Sequence, residues 1–357
     1  MAIKQTPTNR SIIEGLAKNS PTWCGRIPEG ARDDFDKYSV IINSPDGVDL
    51  RSEIYHDLLV RIGKTSFAEN AVHNPLESFK NGAFQYGDIY QEIGIDVLEE
   101  YQFEGVTPKG TPAADQFENF QSTVEADYHK INRRGYYPYT LPDPRLRTAF
   151  LAEGGLYQLL SGQLAAMDKS NTADEFIYMK RSFSEFFVNK VRPIQSTQRL
   201  VVPDVTSETV TPAQIQQFNE TVQLHVNRMA FNSRDFNAHK FLAAVRREDM
   251  VMVIDYRYGV RNDMRYLSNI FNPELTRIRI PVIPVDNFEE GETDLGPDRI
   301  IGIVCDRRFL QVYNVLTQMT TAFNARALTT NYFLHVQQRY ACSAFMPVLY
   351  LVVPRQS

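Results

Sequence analysis

The chain has 357 residues, with 38 basic and 43 acidic side chains for a net charge of −5; 43% of residues are hydrophobic and 23% charged. Those balances exclude a disordered chain, a collagen and a disulfide-stapled miniprotein. They leave a globular protein long enough for two or three compact units, or for one elongated fold with insertions.

Residues 1–45 read as an extended arm with one short helix near Ser11–Lys18, punctuated by Pro7, Pro21, Pro28 and Pro45. Such a segment buries little by itself and must lie on something else. A helix is predicted over about Leu50–Ile62, with Ile54, Leu58, Leu59 and Ile62 on one face and Gly63 as its stop. Asn74-Pro75-Leu76 then turns into Phe79-Lys80-Asn81-Gly82. Tyr86, Ile89, Tyr90, Ile93, Ile95 and Val97 follow with acids between them, an alternation that fits strand. Thr107–Ala114 is rich in Pro, Gly and Thr and predicts a loop tip. Phe117, Phe120, Val124 and Tyr128 lead back to the cluster Arg133–Tyr139, completing a long polar hairpin. A hairpin of this kind is marginal unless it packs on something.

Helix is predicted again after Pro144, interrupted at Gly154-Gly155 and again near Asp168–Thr172, and ending near Val191. Phe176, Met179, Phe183 and Phe187 recur there at spacings of three and four. A strand over Arg199–Val205 comes next. Thr211-Pro212 is a helix start, Thr as N-cap and Pro at the first position, with Ile215, Phe218, Val222, His225, Val226 and Met229 as its buried stripe. Met250–Tyr256, Ile278–Val285 and Arg299–Cys305 read as short buried strands, so 206–309 predicts a mixed α/β unit. Thr317–Val353 alternates aromatic and polar residues and predicts two or three long antiparallel strands.

Charge is unevenly placed. From Asp88 to Asp127 there are ten acids against Lys109 alone, a local net of −9 that leaves +4 for the remainder. Such a run is either a solvated face or a surface that meets a basic partner. Cys24, Cys305 and Cys342 are few, odd in number and far apart, and are expected as free buried thiols in a reducing compartment. The first twenty residues lack a signal peptide's apolar core, and Phe345–Val353 is about half a membrane span, so a soluble chain is expected.

Catalytic patterns are weak throughout. Gly63-Lys64-Thr65 matches the end of a phosphate loop, but Leu58 stands where the motif's first glycine belongs, and a helix precedes it instead of a strand. The six histidines show no zinc spacing. His225 and His335 read as satisfied structural histidines, and Glu289, Glu290, Glu292 and Asp294 as a hydrated loop. Arg133-Arg134 reads as a charge partner for an acidic surface. Tyr and Phe number 18 and 22, several of them in the arm and hairpin, as expected of a protein built to touch neighbours.

Beside these patterns the chain resembles the major capsid proteins of phi29-like tailed phages, a branch of the HK97-type fold. The resemblance runs in order through Asn74-Pro75-Leu76, Phe79-Lys80, Gly82, Asn132-Arg133, Gly135-Tyr136, Thr148-Ala149-Phe150 and Tyr178-Met179-Lys180. Asp306, Val312-Tyr313-Asn314, Asn331-Tyr332 and His335-Val336 close it. It implies an α+β fold with an N-terminal arm (1–45), an extended loop hairpin (76–142) and an axial domain (206–309). A peripheral domain with a spine helix would come from 46–75, 143–205 and 310–357. The best-known relative carries an immunoglobulin-like module after this fold; the end at Ser357 gives the expectation that it is lacking here. No catalytic residue, metal or cofactor is implied.

The implied function is a structural one: pentamers and hexamers of the chain closing an icosahedral head around double-stranded DNA, with a scaffolding protein, a portal protein and non-specific DNA contact as partners. The virion capsid is the implied location, and no membrane is involved. A nanocompartment shell of the same fold is one alternative and a soluble carboxylate-based enzyme another. The expected subunit interface comprises Asn74, Pro75, Phe79, Lys80, Gly82, Glu99, Glu100, Glu104, Arg133, Arg134, Gly135, Tyr136, Arg145, Arg147, Lys180 and Arg181. Its acids on the hairpin are expected to meet a neighbour's Arg145/Arg147 or Lys180/Arg181.

Overall fold

A computed structural model describes residues 72–84, 89–98, 100–101, 120–146, 155–189, 191–263, 278–288 and 298–355. The arm, the helix at 50–62, Gly63-Lys64-Thr65, the loop tip at 107–114, the 289–294 acids, Cys24, Glu99, Glu104 and Arg147 lie outside them. The described elements are β1 (Lys80–Ala83), β2 (Ile89–Ile95), β3 (Val124–Lys130), β4 (Arg133–Pro142), α1 (Gly155–Phe187) and β5 (Arg199–Val201). They continue with α2 (Pro212–Met229), β6 (Met250–Asp255), α3 (Tyr256–Arg261), β7 (Val282–Val285), β8 (Asp298–Asp306), β9 (Leu310–Asn324), β10 (Thr329–Cys342) and β11 (Val348–Pro354). The chain divides into two units, one holding 134–174 and 316–337, the other 74–133, 175–315 and 338–357, among the described residues.

In the second unit the strands order β5-β11-β8-β6-β7 in a mixed sheet. Alternation sorts its side chains to two faces. Met250, Met252, Ile254, Leu349 and Leu351 meet Ile215, Phe218, Val222, Val226 and Met229 of α2 in one core. Val251, Val253, Val348, Tyr350 and Val352 meet Met179, Phe183 and Phe186 of α1 in the other. The register of β8 against β11 slips between Leu351 and Val352, which keeps Ile300 and Ile303 on one face and Ile301 and Val304 on the other. β11 thus lies inside the same sheet as the strands of 206–309, between β5 and β8, although it follows them after two long strands.

The start of α2 forms as its sequence predicts. Thr211 Oγ1 accepts from Gln214 N–H at 3.3 Å, Gln214 Oε1 accepts from Thr211 N–H at 2.9 Å, and Pro212 occupies the first turn. α1 differs from expectation at Asp168–Thr172, where the helix is continuous. Ser170 Oγ donates to the Ala166 carbonyl at 2.9 Å, so this polar stretch satisfies itself on the helix instead of breaking it.

In the other unit, Tyr136 packs edge-on to Phe333, with ring centroids 5.6 Å apart, and Tyr137 OH donates to Asp174 Oδ2 at 2.6 Å. β4 lies beside β10 there. The two histidines singled out by sequence are satisfied and half-buried: His225 Nδ1 lies 2.9 Å from the Thr221 carbonyl, and His335 Nε2 lies 2.8 Å from Thr320 Oγ1. Cys305 and Cys342 are free thiols, and burial pushes both upward in pKa, as for inert cysteines.

Candidate functional site

The hairpin root, β2 with β3, pairs Ile89 with Lys130 through Ile95 with Val124 in unbroken antiparallel register. Period two then gives it two faces. Ile89, Ile93, Ile95, Val124 and Tyr128 share one, and they are 51–66% exposed. Tyr90, Glu92, Gly94 and Asp127 share the other, with Asp96 continuing it, and this charged face is turned onto the chain's own second unit. The amphipathicity is inverted relative to an ordinary half-buried strand.

Tyr90, Glu92, Gly94, Asp96 and Asp127 each have a fitted receiver. Tyr90 packs on Tyr313 at 5.6 Å, and the buried Arg339 guanidinium sits 5.7 Å from its ring centroid and 4.8 Å from that of Phe84. Glu92 accepts from Ser343 Oγ at 2.7 Å and Gln311 Nε2 at 3.3 Å, with His129 Nε2 at 3.6 Å. Gly94 lies against the rings of Phe345 and Phe241. Asp96 pairs with Arg234 and accepts from the Leu242 N–H at 3.1 Å. Asp127 pairs with Arg192, and His239 Nε2 lies 3.1 Å from it.

These partners set the titration. Burial alone would raise Glu92, but the nearby His129 imidazole and the hydrogen bonds from Ser343 and Gln311 outweigh it and hold the carboxyl below its usual range. Burial would likewise raise Asp96, and Arg234 with the Leu242 and Val97 amides overrides it. Burial, then the Arg192 charge, lowers His239. Because both carboxylates are depressed in the docked state, their contribution is complete above the ordinary carboxylate range and is lost as pH falls through the docked values. A spin label on Ile93→Cys should therefore gain mobility when pH falls from about 6 to below about 3.5, values bracketing free carboxyls. In a Glu92→Gln/Asp96→Asn background the label should already be mobile at the higher pH. A label equally immobile at both pH values in the otherwise unaltered chain would contradict the charge-held root.

The residues expected at the interface are placed unequally. Asn74 is buried; its carbonyl accepts from Glu77 N–H at 3.1 Å and its Oδ1 from Leu76 N–H at 2.9 Å, which fixes the turn at the half-buried Pro75. Phe79 is buried edge-on to Phe183 at 6.0 Å. Gly82 has φ +96, in the left-handed region, where β1 slips register against β9. Lys80 pairs with Glu175, whose other oxygen accepts from Gln338.

Arg133 corrects the expectation of a surface charge partner. It is 4% exposed, donates to Gln338 and, at 3.1 Å, to Tyr340 OH, and lies 5.0 Å from the Tyr178 ring centroid. Its neighbour Asn132 exchanges two hydrogen bonds with the backbone of Tyr340, at 2.8 and 2.9 Å. Lys180 is corrected likewise: 1% exposed, it pairs within the chain with Asp286 at 2.6 Å. Arg181 bonds Glu185 one turn along α1. Glu100, Arg134, Gly135, Tyr136 and Arg145 are exposed. The expected salt link from hairpin acids to a neighbour's Lys180 is thereby replaced by intrachain pairs to Arg192, Arg234 and His239. Sequence reading missed these three, along with Phe241 and Phe345. The one local signal was Gly94, a glycine inside an alternating strand, which marks close backbone approach.

Solved structures give the class. The chain is similar to the capsid structure of Staphylococcus phage Andhra (TM-score 0.57, 10% identity, 83% of this chain and 87% of that one). It is also similar to the capsid structure of the Cyanophage P-SCSP1u (TM-score 0.53, 9% identity, 82% and 92%). The fold is that of a phage capsid protein, α+β and of HK97 type.

The sequence profile described as Phi29-like phage major capsid protein matches residues 16–352, and the chain belongs to that family. Similar curated proteins are the major capsid proteins of Bacillus phage PZA, 26% identical over 82% of this chain and 62% of its own length, and of Bacillus phage B103, 25% over 89% and 70%. That of Streptococcus phage Cp-1 is 23% identical over 82% and 80%. The chain thus spans between 62% and 70% of the length of those two Bacillus phage relatives. No described helix is long and apolar enough to cross a membrane.

Proposed function

We propose that this chain is the repeating subunit of a phage head, its copies joining as pentamers and hexamers around a double-stranded DNA genome. The observation that carries this is the inverted hairpin. A ribbon that turns Glu92, Asp96 and Asp127 inward onto its own chain leaves its aliphatic and aromatic face to be covered by something else. A second copy is the occupant that the family supports, and a closed shell reuses one such contact many times. In this reading 76–142 is the extended loop, 1–45 the arm and 206–309 the axial domain. Residues 46–75, 143–205 and 310–357 build the peripheral domain, which shares one sheet with the axial domain through β11. A scaffolding protein, a portal and non-specific contact with DNA belong to the same proposal. Family membership favours a phage head over a nanocompartment, and the relatives are structural proteins, not enzymes. Negative-stain microscopy of the expressed chain tests the reading: closed shells, tubes or rings support it, and a lasting monomer overturns it.

A further inference from the structure

We infer that Gly94 is a positioning residue for assembly: by carrying no side chain it lets the hairpin root settle onto the Phe345 ring, and this seat sets the direction in which the hairpin leaves the body. The inference rests on the shell-subunit reading. Gly82 is the glycine with positive φ among the described residues, so the backbone at Gly94 does not itself call for glycine. Space does. A Cβ at position 94 would lie 2.3 and 2.4 Å from two carbons of the Phe345 ring and 2.8 Å from one of Phe241. Contacts that short cannot persist, so either the ring or the strand must move.

The ring is the harder of the two to move. Phe345 is 8% exposed, stacked on His239 with centroids 4.2 Å apart and planes at 10°, and flanked by Phe241 at 5.6 Å. Its backbone segment is pinned on both sides. Ser343 N–H donates to the Phe309 carbonyl at 2.8 Å, Ala238 N–H donates to the Ala344 carbonyl at 3.0 Å, and Phe345 N–H donates to Ser343 Oγ at 3.3 Å. Ser343 Oγ in turn holds Glu92, two residues along the same strand face. Any side chain at 94 therefore lifts the strand off the seat. The lift also strains the flanking links of Asp96 to Arg234 and of Asp127 to Arg192. The apolar face on the far side of the ribbon is then carried to a different position, where a neighbouring copy cannot meet it.

The test compares the unaltered full chain, Gly94→Val, and Gly94→Val with Phe345→Ala. Valine favours strand, so a loss in the single variant reports the collision and not strand propensity. The single variant should keep its far-ultraviolet spectrum, exchange the amides of 89–95 roughly tenfold faster through local opening, and give at least roughly tenfold fewer closed particles. The double variant, with the Phe345 ring gone and its space open for Phe241 to shift into, should restore closed particles to within about threefold, since the two sites are in contact and must couple. Closed particles at full yield from Gly94→Val would overturn the inference, as would unchanged amide exchange in a variant that fails to assemble. If the single variant does not fold, the double variant decides: restored particles support the seat, while a folded chain without particles, or one that stays unfolded, overturns it. Failure of the unaltered chain to assemble would instead overturn the shell-subunit reading.

Discussion

Replacing Phe183 by alanine should lower the free energy of unfolding by about 3–5 kcal/mol, the range for removing a large aromatic ring from a packed core. The ring is fully buried. It stacks on Phe309 with centroids 6.2 Å apart and planes at 11°, and meets Phe79 and Phe288 edge-on at 6.0 and 6.5 Å. Each of these partners comes from a separate stretch of chain, so none can move in to fill the space without leaving its own packing. The backbone carbonyl of Phe183 also accepts from Tyr350 OH at 3.0 Å, which fixes the helix turn over the sheet. Phe231→Ala is the matched comparison: that ring is 72% exposed, and its loss should change stability by no more than about 0.5 kcal/mol. Urea unfolding of both variants checks the pair. A Phe183→Ala loss under about 1 kcal/mol would mean that the helix and sheet do not share this core.

The second large effect should fall on assembly and spare the fold. Ile93 and Ile95 are 56% and 66% exposed on the outward face of the hairpin. Ile93→Asp with Ile95→Asp removes no buried contact, so unfolding should shift by less than about 1 kcal/mol. In a contact between copies the same two carboxylates would be desolvated beside apolar groups. At about 2 kcal/mol or more per buried, unpartnered polar group, that weakens each contact by roughly a thousandfold. Closed particles should disappear while a folded chain remains in solution. A charge change of the same size on the exposed side of α2, Ala213→Glu with Gln217→Glu, should leave particles intact. Normal particles from the Ile93→Asp/Ile95→Asp chain would show that the hairpin's apolar face is not what a neighbour covers.

Much of the architecture was legible in the residues because local rules decide it. Thr211-Pro212 with Gln214 dictates the start of α2, and the unbroken apolar stretch from Met250 reads as a strand buried on both faces, as it is. The hairpin's alternation was legible for the same reason. Its orientation was not. Period two divides a strand into two faces but does not say which face meets the body, and the customary choice puts isoleucines inward and acids outward. Here the choice is made by Arg192, Arg234 and His239, which lie far along the chain from the acids that they receive. Three acids of the −9 stretch, Glu92, Asp96 and Asp127, are thus answered within the same chain, while Glu100 and Glu125 stay exposed. Arg133 and Lys180 misled: as charged residues they suggested surface, yet each is buried in a polar network contributed by segments remote in sequence.

The central claim is that copies of this chain join through an apolar hairpin face, with Glu92, Asp96 and Asp127 of the hairpin paired within each copy. Sedimentation of the expressed chain at about 0.15 M and about 1 M NaCl, where screening lengths are about 8 and 3 Å, tests it most directly. The account predicts large closed particles at both salt concentrations, in similar yield. Particles that dissolve at high salt would contradict the apolar contact, and a monomer of 41.0 kDa at both would contradict the shell subunit itself.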